Sequence, residues 1–143
     1  MAQPSIRVGP QVLRAISAHA GAEAPRECCG LLIGSDRRID EVVPAGNCAA
    51  DPLRRYEIDP RDYIAAIKRC RGTSSSVLGA YHSHPRSAAE PSPTDLAEAF
   101  GEFLYVIAGP VIEGSVATIR AYRLMDGNFR PVELVPDPEE RTP

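Results

Sequence analysis

The sequence Val-Leu-Gly-Ala-Tyr-His-Ser-His-Pro, at residues 77–85, gives the strongest indication of the fold. An apolar run of this length, with a Gly-Thr-Ser-Ser-Ser loop before it and a proline after it, is typical of a buried central strand. Two histidines two residues apart would point about 200° apart on a helix, but on a strand they project from one face about 7 Å apart. His82 and His84 are therefore expected side by side at the carboxyl end of a strand, where open α/β sheets tend to bind ligands.

The segment Ser92-Pro93-Thr94-Asp95 begins eight residues after His84 and has two compatible interpretations. A serine, a proline and then an acidic residue are typical of the start of a helix, close to a capping box. A carboxylate on this first turn, brought back by the proline-rich residues 85–91, can also complete a His-His-Asp set. Catalytic zinc sites use three such protein ligands and keep a fourth position for water. Both interpretations stay open on the spacing alone.

Glu27 is the candidate base for hydrolysis at such a site. It lies in Pro-Arg-Glu-Cys-Cys-Gly, residues 25–30, where a first helix gives way to a buried strand. Metal-assisted hydrolysis needs a carboxylate that takes a proton from the attacking water. A solvated loop glutamate is the alternative, and the position in the sequence does not exclude it.

Together these residues resemble the JAMM (MPN-domain) metalloprotease family. That family carries an upstream Glu, then His-Ser/Thr-His-Pro, then Ser-x-x-Asp after seven residues counted from the second His. This chain has Glu27, His82-Ser83-His84-Pro85 and Ser92-Pro93-Thr94-Asp95 in that order and at that spacing. The flanking residues 27–34 and 55–60 look like those of the short bacterial members, and the resemblance spans about residues 7–135.

The resemblance implies a Zn²⁺ site with His82, His84 and Asp95 as ligands, Glu27 as general acid/base and Ser92 as a hydroxyl donor to the water or the oxyanion. It implies an α/β fold, a curved mixed β-sheet flanked by helices, as a single MPN domain at residues 1–135. From the pattern along the chain we expect a disordered tail at 136–143. The implied activity is that of a zinc metallopeptidase or isopeptidase. Its expected substrate is an amide bond after the C-terminal Gly-Gly of a ubiquitin-like sulfur-carrier protein, with release of an amino acid such as cysteine or of a conjugated protein.

The pattern along the rest of the chain is mixed α/β with more strands than helices. Asp59-Pro60 indicates a helix start, and Asp126-Gly127-Asn128 a tight hairpin turn. We predict helices at residues 12–23, 60–71 and 92–100, and strands at 29–34, 39–43, 77–84, 103–108, 115–124 and 129–135.

Length and charge exclude several classes of protein. At 143 residues the chain has the size of one domain. Its 16 Lys and Arg against 19 Asp and Glu give a net charge of −3, which argues against nucleic acid as a partner. The apolar run at 103–108 is too short to cross a membrane, and the N-terminus lacks the apolar segment of a signal peptide. With four cysteines and no CxxC pair, we expect reduced, buried thiols and a cytoplasmic protein.

Two other functions compete with this interpretation. A non-catalytic MPN-type scaffold would only bind partner proteins and would have no need of all five signature residues. A zinc deaminase would carry H-x-E and P-C-x-x-C, and neither pattern occurs. The sequence does not predict the oligomeric state.

Weaker candidates lie outside the signature. His19 and Glu23 are four residues apart on the first helix and are expected to be a solvated pair rather than metal ligands. Cys28 and Cys29 flank the candidate base, with buried packing as the favoured role. Three arginines close to the motif could receive a substrate carboxylate but are more typical of an ordinary surface: Arg54, Arg55 and Arg86.

Overall fold

The computed structural model describes residues 4–99, 103–112 and 115–138. Within these ranges the chain forms seven strands and three helices. Their order is β1 (Ser5–Val8), α1 (Pro10–Glu23), β2 (Cys29–Ser35), β3 (Arg38–Ala45), α2 (Pro60–Cys70), β4 (Ser76–Ser83), α3 (Pro93–Glu98), β5 (Leu104–Ala108), β6 (Ile119–Met125) and β7 (Asn128–Pro136).

The strands form one mixed sheet that closes into a barrel in the order β1-β3-β2-β4-β5-β6-β7. β1 runs parallel to both β3 and β7, and β4 runs parallel to β5. The other neighbours are antiparallel. The predicted curved mixed sheet flanked by helices is confirmed, and β1 is the unpredicted strand that closes it.

The two faces of the sheet pack against different helices. The largest apolar cluster joins Val12, Ile16 and Ala20 of α1 to residues of all seven strands, among them Leu32. On the opposite face Leu31 and Ile33 of β2 pack against Ala66 of α2. Because β2 is covered on both faces, its sequence is almost continuously apolar instead of alternating. Full burial of one such leucine contributes about 1.5–3 kcal/mol.

Predicted and observed elements differ mostly at their ends. The predicted strand at 115–124 is wrong in its first part, because β6 begins at Ile119. Ahead of it, the Gly109 amide still donates to the Thr118 carbonyl (2.8 Å), but the Ala117 amide donates to Ser17 Oγ (2.9 Å) of α1 instead of to a strand. Residues 113–114, and residue 100 of the predicted third helix, lie outside the described residues. The hairpin turn is confirmed, with positive φ at Asp126 and Gly127.

The last described residues bond to the strands that begin the sheet. Pro136 pairs with Val8 in the β1–β7 ladder. Asp137 accepts hydrogen bonds from the side chains of Arg7 (3.0 Å) and Arg38. Residues 139–143 of the predicted tail lie outside the described residues, and the boundary at residue 135 stays a prediction.

Candidate metal centre

The pairing of β2 with β4 brings Glu27 to the two histidines. Cys29 pairs with His82 in this antiparallel ladder, and continuing the register by two residues sets Glu27 opposite His84. Two hydrogen bonds keep the two chain segments together just past the end of the ladder. The Ser83 amide donates to the Cys28 carbonyl (3.1 Å), and the Cys28 amide donates to Ser83 Oγ (2.8 Å). Strand alternation then turns His82 and His84 to one face, as predicted.

The start of α3 brings Asp95 to the same place. Ser92 is the N-cap, and its Oγ accepts from the Asp95 amide (3.0 Å) while Asp95 Oδ2 accepts from the Ser92 amide (2.9 Å). The predicted capping box is therefore present. The same Oδ2 lies 3.2 Å from His82 Nε2 and 3.1 Å from His84 Nε2. The capping bond thus fixes the carboxylate oxygen that faces both imidazoles.

Three potential ligand atoms form a compact triangle. The two Nε2 atoms are 3.1 Å apart, so every edge measures 3.1–3.2 Å. Zinc ligands at about 2.0–2.2 Å from an ion in tetrahedral geometry lie about 3.3–3.5 Å from one another, which is close to these edges. Ligand atoms of Glu27, His82 and His84 also lie within 4.8 Å of one another. Two imidazole nitrogens with a carboxylate oxygen are a donor set that suits zinc.

Burial sets the ionisation of Glu27. The residue is 7% exposed, and burial raises the pKa of its carboxyl from 4.5 to about 7, with His84 acting against this shift and Asp95 adding to it. A carboxylate with a pKa near neutrality can both take up and release a proton at physiological pH. This is the property that a general acid/base needs.

The three side chains of the ligand triangle have pKa values shifted in different directions. Burial lowers the pKa of His82. Burial acts the same way on His84, but hydrogen bonds to Asp95 and to the Ala88 carbonyl outweigh it and raise the pKa overall. Burial also opposes ionisation of Asp95, yet the two imidazoles hold the pKa of this carboxyl well below its usual range. The triangle therefore holds an ionised carboxylate between two imidazoles.

The two histidine rings are oriented by different means. His84 Nδ1 lies 2.9 Å from the Ala88 carbonyl, an interaction typical of metal-binding histidines. His82 Nδ1 is buried and has no hydrogen-bond partner in the described part of the chain, and the same holds for Glu27 Oε1. The His82 ring is instead stacked on Tyr56, with centroids 4.2 Å apart and an interplanar angle of 18°.

Comparison with known proteins identifies this arrangement. Residues 9–125 match the family described as prokaryotic homologs of the JAB domain. The chain belongs to this family. The resemblance to JAMM (MPN-domain) proteins drawn from the signature residues is thereby confirmed.

Three curated relatives of this JAB-domain chain have names that describe a cleavage reaction. A probable TtuB-protein conjugate cleaving protease of Thermus thermophilus is 38% identical over 116 residues, 81% of this chain and 74% of the relative. A desampylase of Haloferax volcanii is 34% identical over 94 residues, 64% of this chain and 68% of the relative. A CysO-cysteine peptidase of Mycobacterium tuberculosis is 27% identical over 128 residues, 87% of each.

Solved structures agree with the JAB-domain fold. The solution structure of a protein from Desulfitobacterium hafniense superimposes with a TM-score of 0.83 at 28% identity and covers 94% of both chains. The crystal structure of a JAB1/MPN domain protein from Archaeoglobus fulgidus gives a TM-score of 0.57 at 24% identity, over 92% of this chain and 98% of that one. The second likeness concerns the fold alone.

Other predictions for this JAB domain have mixed outcomes. His19 is not part of a solvated pair, because its Nδ1 lies 2.8 Å from the hydroxyl of buried Tyr81. Cys28 and Cys29 are free and buried as expected, whereas Cys48 is free but exposed. Of the three arginines, Arg55 forms an ion pair with Glu98, Arg54 with Asp51, and Arg86 is exposed.

Sequence reasoning missed two residues beside the centre. Tyr56 was noted only as part of a family-like segment, and nothing local indicates that its ring meets His82, 26 residues further along. Asn47 lies between the predicted strand at 39–43 and the predicted helix at 60–71, outside every predicted element, yet its side chain donates to the main chain of Glu27. Both contacts join segments that are distant in sequence, so no periodicity could have revealed them.

Proposed function

We propose that this JAB domain is a zinc-dependent peptidase or isopeptidase in which His82, His84 and Asp95 hold the ion and Glu27 is the general acid/base. The observation that carries the proposal is the triangle of 3.1–3.2 Å edges, with the Glu27 carboxyl beside it. When bound, zinc would lower the pKa of a coordinated water and polarise the substrate carbonyl.

The protein's own groups account for the proton transfers. Glu27 takes a proton from the attacking water and returns it to the leaving amine nitrogen, a sequence that its pKa of about 7 suits. Ser92 Oγ already accepts a hydrogen bond from the Asp95 amide, so its hydroxyl hydrogen can donate to the substrate carbonyl oxygen as charge develops there. A scaffold that only binds partners gains nothing from four ionisable side chains gathered at the cost of their hydration.

The proposed substrate is the C-terminal Gly-Gly tail of a ubiquitin-like sulfur-carrier protein, joined by an amide bond to an amino acid such as cysteine or to another protein. The names of two relatives support this class of substrate, since they refer to TtuB conjugates and to CysO-cysteine. As predicted from the sequence, neither nucleic acid nor a membrane is part of the proposal. Among the described residues, no helix has both the length and the hydropathy to span a bilayer. The cytoplasmic location stays a prediction.

A cleft beside the centre can take such a tail. Its volume is about 710 Å³, and Tyr56 connects it to the centre through the stack on His82. Most of its wall is apolar or aromatic: Ile58, Pro60, Tyr63, Ile64, Phe103 and Tyr105. No described strand offers an open edge to which the tail could add, because each already has a neighbour on both sides. The cleft is the better path.

Elemental analysis tests the metal assignment. We expect one zinc per wild-type chain and none in His82→Ala, His84→Ala or Asp95→Ala. The matched control is His19→Ala, because the chain has three histidines and His19 lies on the opposite face of β4 beside Tyr81. Full zinc in all three ligand variants would overturn the assignment.

A pair of substrates tests the reaction. The enzyme is incubated with a sulfur-carrier protein extended by one cysteine and, separately, with linked diubiquitin. Loss of the added cysteine by mass spectrometry, with diubiquitin intact, is the expected result. If diubiquitin is cleaved efficiently and the cysteine-extended carrier is not, the proposed substrate class is contradicted, although the isopeptidase activity is supported.

A further inference from the structure

We propose that Asn47 is a positioning residue whose carboxamide fixes the candidate base and, through Tyr56, a candidate metal ligand in one mutual arrangement. The inference rests on the proposed function, because it concerns how that centre is held together. Asn47 itself touches neither the ligand triangle nor the Glu27 carboxyl; it acts through the main chain of residues 27 and 55–57.

All four hydrogen-bonding positions of the Asn47 carboxamide are used. Its Nδ2 donates to the carbonyl oxygens of Glu27 (3.0 Å) and Arg55 (3.1 Å). Its Oδ1 accepts from the amides of Ala49 and Glu57, both at 3.0 Å. The partners also settle which way the amide points, since a flipped group would face two carbonyls with its oxygen and two N–H groups with its nitrogen.

Asn47 is itself held by a short main-chain ladder. It forms a bridge with Ile58, and on either side the Cys48 amide donates to the Glu57 carbonyl (2.8 Å) and the Asp59 amide donates to the Gly46 carbonyl (3.0 Å). The carboxamide is therefore attached to a stiff piece of backbone. A fully bonded polar side chain on such a support is able to transmit position, because it has no alternative partners.

Two of these bonds fix the main chain on both sides of Tyr56. Asn47 bonds the carbonyl of the residue before Tyr56 and the amide of the residue after it. The Tyr56 ring stacks on His82, whose Nδ1 has no partner in the described residues. A metal-binding histidine normally has its ring fixed by a hydrogen bond from that second nitrogen. At His82 the ring of Tyr56 takes over this orienting role.

The remaining donor bond fixes the backbone of Glu27. The Glu27 carbonyl accepts from Asn47, and the Glu27 amide donates to the Pro52 carbonyl (2.8 Å). Residues 47–57 thus hold the candidate base at both its main-chain groups, and the same carboxamide sets Tyr56 against His82. Displacement of the candidate base or of the His82 ring by about 1 Å is enough to reduce a rate by about 10²-fold.

The zinc affinity and kinetics of two Asn47 variants, compared with one control variant, test the proposal. Asn47→Ala removes all four bonds, and Asn47→Asp keeps the two accepted bonds while placing a carboxylate oxygen against two carbonyls. We expect both variants to lower zinc affinity by about 10–100-fold in competition with a chelator, the range found when such supporting partners are removed. We also expect a lower kcat per bound zinc with KM little changed.

The matched control is Thr73→Ala. Thr73 also fastens a loop by side-chain bonds to main chain, with Oγ1 donating to the Cys70 carbonyl (2.6 Å) and accepting from the Ser75 amide (3.1 Å). It lies before the amino end of β4, remote from the centre. Zinc affinity should be unchanged in this variant. If the Asn47 variants lose thermal stability like Thr73→Ala but keep wild-type zinc affinity and kcat, Asn47 has a merely structural role and the proposal is overturned.

A double-mutant cycle tests the route through Tyr56. Tyr56→Phe preserves the ring and should keep zinc affinity, whereas Tyr56→Leu should lower it. If Asn47 acts through this ring, the losses in Asn47→Ala and Tyr56→Leu are not additive in the double variant. Additive losses would contradict the route. A wild-type chain that binds no zinc would instead refute the proposed function itself, so the two failures are distinguishable.

Discussion

The two faces of β4 differ in how their buried polar groups are hydrogen-bonded. The inner face carries Tyr81 and packs against α1, and the outer face carries His82 and His84. On the inner face the Tyr81 hydroxyl meets His19 Nδ1 at 2.8 Å, and Ser83 Oγ accepts from the Cys28 amide at 2.8 Å. On the outer face, in the described part of the chain, His82 Nδ1 and Glu27 Oε1 are buried without a partner.

The difference separates structure from function within one strand. Buried polar groups in protein interiors are almost always hydrogen-bonded, because leaving one unpaired costs about 1–3 kcal/mol. The inner face follows this rule, and the outer face violates it at His82, which belongs to the ligand triangle, and at Glu27 beside the triangle. A stability cost concentrated at one point is typical of a site kept for its chemistry.

Removal of the Glu27 charge should give the largest effect on catalysis. We expect Glu27→Gln to retain stoichiometric zinc but to lose at least about 10²–10⁴-fold in kcat, because the general acid/base is gone. Glu23→Gln, an exposed carboxylate at the end of α1, is the control and should hydrolyse at the wild-type rate. Wild-type activity in Glu27→Gln would refute the role assigned to this residue.

Ser92 should contribute less to the rate and something to the fold. Ser92→Ala removes one hydroxyl donor to the carbonyl oxygen, which typically reduces kcat by about 10²–10³. It also removes the N-cap of α3, at a cost of about 1 kcal/mol in unfolding free energy. Ser92→Thr keeps both groups and serves as the control. Full activity in Ser92→Ala, with only the stability loss, would leave Ser92 as a cap alone.

The stability of the metal-free protein should carry the pH signature of Glu27. The folded-state pKa of Glu27 is raised from 4.5 to about 7, so the folded protein binds this proton more tightly than the unfolded chain. The contribution of Glu27 to the free energy of unfolding is therefore complete below the unfolded pKa and is lost as pH rises toward the folded one. In chelator, Glu27→Gln should be more stable than wild type at about pH 8, and this advantage should shrink at about pH 5. Denaturant unfolding at both values measures it, and a pH-independent difference would contradict the raised pKa of the buried Glu27 carboxyl.

The inner face should respond with a small change in stability only. Tyr81→Phe removes one hydrogen bond to His19, which predicts a loss of about 0.5–1.5 kcal/mol in unfolding free energy. Zinc content and kcat should stay at wild-type values, since the hydroxyl lies on the face away from the ligand triangle. A loss of zinc in Tyr81→Phe would show that the two faces are coupled.

Much of the fold follows from local patterns in the sequence. The apolar run of β4, the capping signals at Asp59 and Ser92 and the turn at 126–128 all depend on neighbours within a few residues, and each is present. β1 was missed because Ser5–Val8 is a four-residue strand stabilised by parallel pairing with β7 and β3. Its partners lie far along the chain, and no local pattern encodes that pairing.

The candidate metal centre likewise depends partly on local patterns and partly on contacts between distant segments. Strand alternation brings His82 beside His84, as their spacing predicted, whereas the capping box orients Asp95 toward them, an arrangement that the spacing allowed and that the family resemblance implied. Glu27 was a candidate from its place between helix and strand, but its approach to the histidines depends on the register of β2 against β4, which no local pattern encodes. Asn47 and Tyr56 needed the structure, because their contacts join residues 20 and 26 positions apart without a repeating pattern.

Thermal unfolding with and without zinc tests most directly whether the unsatisfied outer face of β4 is a metal site. A domain of this size should fold in chelator, and stoichiometric binding should raise its Tm, by the equivalent of about 2.7 kcal/mol when free zinc is 100 times its Kd. His82→Ala should show no such shift, while His19→Ala should keep it. Equal Tm values for the wild type with zinc and with chelator, or an equal shift in His82→Ala, would contradict the account.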